Sequence, residues 1–350
     1  MLFDNIYKNR SVFVTGHTGF KGGWLVAWLE KLGSKVCGYA LDVPTTPNHF
    51  SLLDISVQDV RCDVSNFSAL KSSIQQFAPE IVFHLAAQSL VPVSFRQPLE
   101  TFAVNILGTA HVLEACRQTP SVRAVVIITS DKCYENKERR NGHQETDPLG
   151  GDDPYSASKA CAEIVTASYR KSFSNRQLLI ASCRSGNTLG GGDWAADRLI
   201  PDLVRSVVED KIAELRMPQA IRPWQHVLNP LAGYLLLGQR LLEGQADFAE
   251  AWNFGPNKKD HWTVDKLARH VQKNWKTIRY EAIPNVDPRE TPLLSLNAQK
   301  ARRKLGWNPV WNLNEGIDRT ISWYRHFYEQ GKLQTFEQIA EFEKRLKQTF

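Results

Sequence analysis

Short apolar runs rich in β-branched residues alternate with longer stretches of helical periodicity through the first half of the chain. Continuous apolar runs of this length are typical of parallel strands that are buried on both faces. The predicted strands are 11–15, 35–40, 57–62, 81–85, 124–129 and 178–183, and the predicted helices between them are 23–32, 67–77, 99–118 and 155–171. This alternation predicts an α/β fold of the Rossmann type, a doubly wound parallel sheet that binds ligands beyond the carboxyl ends of its strands.

The pattern changes after Arg184, where glycines, prolines and most of the tryptophans appear between shorter helical stretches. Helices are predicted near 198–210, 229–242 and 263–275. We therefore expect a Rossmann domain over residues 1–185. Over residues 186–350 we expect mainly a smaller C-terminal lobe that binds substrate and is interleaved with the last strands of the sheet.

The composition is that of an ordinary globular protein, with 350 residues of which 42% are hydrophobic and 23% charged. No apolar run approaches the roughly 20 residues of a membrane helix, and residues 1–10 lack the apolar core of a signal peptide, so a cytoplasmic protein is expected. The net charge of +6 is spread without a dense basic block, which argues against nucleic-acid binding. The six cysteines and nine histidines lack zinc-ligand spacing, and no metal site is predicted.

A glycine-rich turn follows the first strand and opens the first helix. Glycines permit the tight turn and let the backbone approach a pyrophosphate, whose charge is favourable at a helix N-terminus. The candidate cofactor-binding residues of the turn are Gly16, His17, Gly19, Phe20, Lys21 and Gly22. His17 and Lys21 are candidates to reach phosphates or substrate, and an exposed polar role is the alternative for both.

Acidic residues follow the second and third strands. Asp42 stands about 20 residues beyond Gly22, where a carboxylate bonds the ribose hydroxyls and disfavours a 2′-phosphate. The alternative is an acid on a surface loop. Because no arginine follows that strand directly, NAD is predicted rather than NADP. Asp63 suits the adenine edge, and an N-cap of the next helix is an equally good interpretation.

Tyr155 and Lys159 are four residues apart, which places them on one face of a helix. An ammonium there is expected to lower the pKa of the phenol, so that tyrosinate accepts a proton from a sugar hydroxyl. Ser130 follows the fifth strand and is expected to bond the same hydroxyl. These three residues predict redox chemistry at a carbinol carbon.

These motifs resemble the extended short-chain dehydrogenase/reductase family. The resemblance rests on residues 15–22, 84–88, 105–109, 129–132 and 155–159, and it extends from residue 16 to residue 307. Within this family the chain is similar to the nucleotide-sugar 4,6-dehydratases. The similarity implies a hydro-lyase with NAD as cofactor, a nucleotide-sugar substrate, and Ala86 among the residues that line the cofactor.

Asp131 and Lys132 favour a dehydratase over a 4-epimerase. An epimerase only oxidises C4 and returns the hydride, whereas a 4,6-dehydratase also removes the C5 proton and protonates the departing C6 hydroxyl. Asp131 is expected to be the acid and Lys132 to assist C5 deprotonation. Tyrosinate, a bound water or another carboxylate are alternative bases, and an exposed ion pair is the non-catalytic alternative. Related dTDP-glucose enzymes carry Asp-Glu here, and the lysine is similar to the branch that acts on CDP-glucose.

The resemblance also implies contacts to the substrate. A diphosphate needs fixed cations, preferably the bidentate fork of arginine. The implied substrate-binding residues are Gln88, Ser89, Asn187, Arg198, Arg222 and Arg289. Arg222 and Arg289 are expected on the diphosphate, with Arg198 nearer the sugar or the α-phosphate. A turn residue is the alternative for Asn187.

The helices predicted at 99–118 and 155–171 resemble the pair that dimerises this family, so a homodimer or homotetramer is expected. Family association implies deoxysugar synthesis for bacterial surface polysaccharide, such as lipopolysaccharide O-antigen. The rival functions are a nucleotide-sugar epimerase or reductase, or a dehydratase of GDP-mannose or dTDP-glucose. A rival of another class is a non-catalytic dinucleotide-sensing protein; such proteins commonly lose the tyrosine or lysine that this chain retains.

Overall fold

The computed structural model describes residues 2–135, 137, 139, 141–173, 178–283 and 293–348. Its strands are β1 Ser11–Thr15, β2 Lys35–Ala40, β3 Gln58–Arg61, β4 Ile81–His84, β5 Ala124–Ile128, β6 Leu179–Ser185, β7 Thr188–Leu189, β8 Ala213–Leu215, β9 Ile221–Pro223, β10 Gln225–His226, β11 Ala251–Phe254, β12 His261–Thr263 and β13 Tyr280–Ala282. Its helices are α1 Phe20–Lys31, α2 His49–Leu52, α3 Phe67–Phe77, α4 Val91–Arg96, α5 Pro98–Phe102, α6 Gly108–Arg117, α7 Pro154–Ser172, α8 Leu199–Val208, α9 Leu228–Leu242, α10 Val264–Asn274, α11 Leu313–Gln330 and α12 Thr335–Leu346.

A seven-stranded sheet in the order β3-β2-β1-β4-β5-β6-β11 forms the centre of the molecule. Each neighbouring pair in it runs parallel. Alternate residues of β1 face opposite sides: Val12 and Val14 pack with α1 and α9, while Phe13 packs with α3 and α6. The prediction of a doubly wound parallel sheet is confirmed. The strand order reverses between β1 and β4, which is where such sheets open a ligand crevice.

The second half of the chain supplies both the last strand of this sheet and a set of smaller elements. Strand β11 pairs with β6, so the C-terminal half enters the central sheet. The short strands form three further pairs, β7 with β10, β8 with β13 and β9 with β12. Helix α12 returns to α1, where Glu343 accepts hydrogen bonds from Trp28 and Lys31. The domain boundary at residue 185 stays a prediction.

The prediction of a single regular helix over 99–118 is wrong in its middle. Helices α5 and α6 are joined by a π-helical turn over Ala103–Leu107. Such a turn inserts a residue and turns one side chain out of the regular helical face. Asn105 lies within it and donates to the Gln88 carbonyl at 3.0 Å and to Ser158 Oγ at 2.8 Å. The irregular turn therefore ties this helix to α7.

Among the described residues, no helix combines the length and the apolar composition that crossing a bilayer requires.

Candidate active site

The glycine turn lies at the reversal of strand order, between β1 and α1. Gly16 has a positive φ of 74°, and a side chain there would place its Cβ 2.6 Å from Ala86 N. A Cβ at Gly22 would lie 2.1 Å from the Gly16 carbonyl oxygen. Gly19 is the N-cap of α1 and provides no side-chain cap. The turn is thus a backbone cradle at a helix N-terminus, which suits a pyrophosphate.

Two further residues border this turn. Ala86 lies directly against Gly16, and its N–H donates to Thr15 Oγ1 at 3.2 Å. Phe20 is the first residue of α1, and its ring reaches the backbone of Gly190 in the C-terminal half, where a Cβ would lie 3.1 Å from it. The ring therefore connects the cradle to the glycine-rich segment that follows β7.

The prediction that His17 reaches phosphates or substrate is wrong for its side chain. The imidazole has no exposed surface, and its Nε2 hydrogen-bonds Asp59 Oδ1 at 2.9 Å. It fills the space over Gly38, where a Cβ would lie 2.3 Å from the ring. Because Gly38 has no side chain, the histidine turns inward and packs on the sheet. Only the His17 backbone remains in the turn.

Lys21 also departs from the turn. Its Nζ donates to Ser185 Oγ at 2.9 Å, at the carboxyl end of β6. Burial and the nearby Arg198 lower the pKa of Lys21 to about 8, while Asp131 opposes that shift. The side chain thus points toward the residues that follow β5 and β6, away from the cradle formed by its own backbone.

At the other end of the cradle, Asp42 is exposed in the bend that follows β2. Asp63 is not the cap of α3, since Asn66 fills that position and accepts from Ala69 N. Asp63 instead accepts from Ser65 N at 2.7 Å. A residue that the sequence analysis missed lies here: Arg61 donates to the Leu41 carbonyl at 3.2 Å. Pairing of β2 with β3 places Arg61 opposite Ala40 and at the carbonyl of Leu41, the residue before Asp42, a proximity that chain order conceals.

Tyr155, Lys159 and Ser130 come together where predicted, at the carboxyl end of β5. Helix α7 begins with Pro154 and is capped by Asp153, which accepts from Ser156 N at 2.9 Å. Burial raises the pKa of Tyr155 to about 12, and a hydrogen bond with Ser130 opposes that shift. The phenol is therefore held next to the serine hydroxyl in a site that is almost closed to solvent.

The effect of Lys159 on the Tyr155 pKa differs from the one expected. Its Nζ lies 3.5 Å from the Ile128 carbonyl oxygen, and burial lowers its own pKa to about 8. The groups that chiefly favour tyrosinate at Tyr155 are Ser130 and Arg198. Because desolvation outweighs these influences, the expected net lowering of the Tyr155 pKa by the lysine is not what the structure shows.

Asp131 is buried rather than part of an exposed ion pair. Its Oδ1 accepts from Ser130 Oγ at 3.0 Å, while Oδ2 is buried without a hydrogen-bond partner among the described residues. Burial raises the pKa of Asp131, and Lys132, Lys21 and Arg222 oppose that shift. A carboxyl in such surroundings favours its protonated form and fits a general acid. Lys132 is half-buried beside it.

A buried ion pair lies behind these residues. Glu163, one turn after Lys159 on α7, accepts from Arg184 Nη2 at 2.7 Å, from Ser182 Oγ at 2.8 Å and from Thr129 Oγ1 at 2.5 Å. The carboxylate thus joins α7, β6 and the end of β5, the three elements that carry the catalytic candidates. This pair was not predictable from the sequence because its members lie on different elements, α7 and β6.

Two of the predicted substrate-binding arginines lie near the catalytic candidates. Arg198 lies near Tyr155 and bridges the two halves of the molecule, since it donates to Asp193 Oδ2 at 2.8 Å and to Ser89 Oγ at 3.0 Å. Asp193 is a positioning residue that the sequence analysis missed. Arg222 lies on β9, close enough to Asp131 to favour its carboxylate.

Asn187 is half-buried between β6 and β7, and its carbonyl accepts from Gln225 N at 3.0 Å. The expectation that Gln88 contacts the hexose conflicts with its hydrogen bonds. Its amide donates to Thr101 and Leu90, and its Oε1 accepts from Leu90 N, so the side chain shapes its own loop. Arg289 lies outside the described residues.

Comparisons with known proteins show which proteins the chain resembles. The family model described as GDP-mannose 4,6 dehydratase matches residues 13–320. The chain is 45% identical over 334 residues to CDP-glucose 4,6-dehydratase of Salmonella typhimurium, with 93% of each chain covered. It is 27% identical to dTDP-glucose 4,6-dehydratase of Neisseria gonorrhoeae, with 90% of this chain and 95% of that protein covered.

Solved structures share the fold. An epimerase from Methanothermobacter thermautotrophicus superposes with a TM-score of 0.84 at 23% identity, covering 97% of this chain and 98% of that one. A dTDP-glucose 4,6-dehydratase from Streptomyces venezuelae, solved with NAD and TYD bound, gives 0.78 at 23% identity, covering 90% and 97%. The fold and the Ser130–Tyr155–Lys159 set define an enzyme of the extended short-chain dehydrogenase class. The chain belongs to the GDP-mannose 4,6-dehydratase family.

Proposed function

We propose that the protein dehydrates CDP-D-glucose to CDP-4-dehydro-6-deoxy-D-glucose, with NAD as a cofactor that is used and restored in each turnover. The substrate follows from the relative that is 45% identical over 93% of each chain. The observation that carries the reaction type is the buried Asp131, whose Oδ2 has no partner among the described residues. A 4-epimerase has no use for such an acid, whereas a 4,6-dehydratase requires one.

NAD fits the cradle formed by Gly16, Gly19 and Gly22, since the uncapped N-terminus of α1 favours a pyrophosphate. Asp42 would bond the ribose hydroxyls, and Asp63 and Ala86 complete the adenine and central parts of the site. When bound, the nicotinamide accepts the hydride of C4 and returns it to C6. Because the hydride is returned in each turnover, the cofactor is proposed to stay bound between turnovers.

Tyr155 is the group that accepts the proton of the C4 hydroxyl, and Ser130 holds the same oxygen. Burial raises the pKa of Tyr155 to about 12, so the phenol loses its proton readily only when cations are close. Arg198 supplies one of these charges. Lys159, on the same face of α7, has its Nζ 3.5 Å from the Ile128 carbonyl oxygen at the end of β5, so its contribution to tyrosinate is secondary to those of Ser130 and Arg198.

Asp131 then gives its proton to the departing C6 hydroxyl. Burial raises the pKa of Asp131, which favours the protonated form that this step requires. Lys132 assists removal of the C5 proton, and tyrosinate at Tyr155, a bound water or another carboxylate remain the alternative bases. The substrate is held by Arg222 and Arg289 on its diphosphate, by Asn187 beside it, and by Arg198 and Ser89 nearer the hexose.

The protein is proposed to act as a homodimer or homotetramer. Exposed apolar side chains mark the helices expected at the interface, with Leu99 83%, Leu107 56% and Ile164 56% exposed. Residues of these types on α5, on the π-helical turn and on α7 suit a helical interface between copies. We propose that the reaction belongs to deoxysugar synthesis for a bacterial surface polysaccharide such as O-antigen. It is proposed to take place in the cytoplasm.

Substrate choice is tested by incubating the purified protein and NAD with CDP-glucose, dTDP-glucose and GDP-mannose separately. Formation of the 4-keto chromophore in alkali, and a shift of the thermal unfolding midpoint, report turnover and binding. Both signals are expected with CDP-glucose. Signals with only one of the other two sugars would overturn the choice of substrate.

A further inference from the structure

Lys21 has a fixed position that its place in the glycine turn does not explain. Its ammonium donates to Ser185 Oγ at 2.9 Å, and the same oxygen accepts from Tyr234 Oη at 2.8 Å. Ser185 and Tyr234 are buried, at 3% and 0% exposure. One hydrogen bond thus holds the cation at the carboxyl end of β6, and a second fixes the serine that accepts it.

Gly186, the residue that directly follows β6, lies close to Asp131. A side chain at Gly186 would place its Cβ 3.1 Å from Asp131 Oδ2, the oxygen that has no hydrogen-bond partner among the described residues. The end of β6 therefore hydrogen-bonds Lys21 through Ser185 and lies close to Asp131 through Gly186. The two charges act on each other: Lys21 favours the Asp131 carboxylate, and Asp131 favours the Lys21 ammonium.

We propose that Lys21 stabilises the Asp131 carboxylate that forms when Asp131 gives its proton to the departing C6 hydroxyl. The inference rests on the proposed function and deepens it. In the elimination, the C6–O bond breaks with its electron pair on oxygen, and the Asp131 proton completes the water molecule. The electrons of the C5–H bond form the C5=C6 double bond, and the C5 proton goes to the base. Lys21 transfers no proton and acts as a positioning residue through Asp131.

This role differs from contact with a cofactor phosphate, and a variant without the lysine charge distinguishes the two roles. Lys21→Met keeps much of the side-chain length and removes the charge. We expect it to retain NAD and to oxidise C4, but to lose water about 10-fold more slowly or worse, since a nearby cation changes a carboxyl pKa by roughly one to three units. In quenched single turnovers, CDP-4-dehydroglucose should accumulate and be identified by its mass.

Three companion variants accompany the measurement. Ser185→Ala keeps the lysine and removes its acceptor, so a smaller slowing of water loss is expected. Lys21→Arg restores a cation and should recover part of the elimination rate. Lys35→Met, at an exposed lysine that begins β2, should leave both steps unchanged. The NAD content of each purified variant is measured separately from activity.

Two results would overturn the inference while leaving the proposed function intact. One is a Lys21→Met protein that loses water as fast as the wild type. The other is loss of bound NAD with an equal fall in both steps, which would assign Lys21 to the cofactor. A wild-type protein that forms no 4-keto product from any nucleotide sugar would refute the proposed function, and this inference with it.

Discussion

Ser130 Oγ donates a 3.0 Å hydrogen bond to Oδ1 of the adjacent Asp131, and Oδ2 of that carboxyl is buried without a partner among the described residues. One oxygen is thereby fixed and the other is left for a proton. Because burial raises the pKa of this carboxyl, the protonated form is favoured within reach of Tyr155. This arrangement suits the proposed loss of water, since hydride transfer alone would need no such acid.

Replacing Asp131 by Asn should separate the two chemical steps. The amide keeps the shape of the side chain and its bond with Ser130 but has no acidic proton. General acid catalysis contributes typically 10²–10⁴-fold, so water loss should slow by roughly that factor. Quenched single turnovers should then contain CDP-4-dehydroglucose and little 6-deoxy product. Water loss at the wild-type rate would remove Asp131 from the acid role.

Tyr155→Phe is the contrasting variant for this measurement. It removes the acceptor of the C4 hydroxyl proton, so neither CDP-4-dehydroglucose nor the 6-deoxy product should form. Its thermal unfolding midpoint should stay near that of the wild type, because the ring remains to fill the site. Any clear yield of the 4-keto sugar from this variant would contradict the assigned proton acceptor.

The buried ion pair of Glu163 and Arg184 should be essential to stability. Both side chains are almost fully buried, with 2% and 4% exposure. Glu163→Gln leaves the arginine charge buried and uncompensated, which typically costs about 3–5 kcal/mol in free energy of unfolding. Combining it with Arg184→Met should recover a large part of that loss in urea unfolding. A single-variant loss below about 1 kcal/mol would show that the carboxylate is not needed to hold the arginine.

Buried histidines should make the fold sensitive to acid. Burial lowers the pKa of His49, His84 and His226 from 6.5 to about 3. The folded protein therefore keeps these rings neutral while the unfolded chain takes up protons below pH 6.5. Their stabilising effect is complete above pH 6.5 and is lost as the pH falls toward 3.

Each such histidine changes the free energy of unfolding by at most about 1.4 kcal/mol per pH unit. His49→Gln should remove one of these contributions, so the free energy of unfolding of the variant should fall less steeply between about pH 6 and about pH 4. Urea unfolding at several pH values measures the slope. An unchanged slope in the variant would contradict the assignment of His49.

The exposed apolar residues on the helices around α7 should determine assembly. Ile164→Arg places a charge in the proposed interface, so the protein should dissociate to monomers in light scattering. Val208→Arg on α8 is the matched control, since Val208 is 51% exposed and lies on another element. A monomeric wild type, or dissociation by the Val208 variant alone, would place the interface elsewhere.

Features encoded locally were predictable from the sequence. The apolar runs locate the strands of the sheet, and Ser130, Asp131 and Tyr155 come together because each lies next to a strand or helix end at one edge. Features that depend on distant residues were not predictable. The inward turn of His17 requires the empty space at Gly38, and the direction of Lys21 requires Ser185 on β6. The π-helical turn at Asn105 likewise depends on Ser158 and the Gln88 carbonyl.

The most direct test of the central claim uses CDP-glucose that carries deuterium at C4 of the hexose. If the hydride is removed from C4 and returned within the same turnover, the product should be CDP-4-dehydro-6-deoxyglucose with that deuterium at C6 and a solvent-derived hydrogen at C5. Nuclear magnetic resonance of the product locates the deuterium, and a parallel reaction of unlabelled CDP-glucose in D₂O shows whether the hydrogen at C5 comes from solvent. Deuterium that stays at C4 in an epimerised sugar, or that is lost from the sugar altogether, would contradict the account.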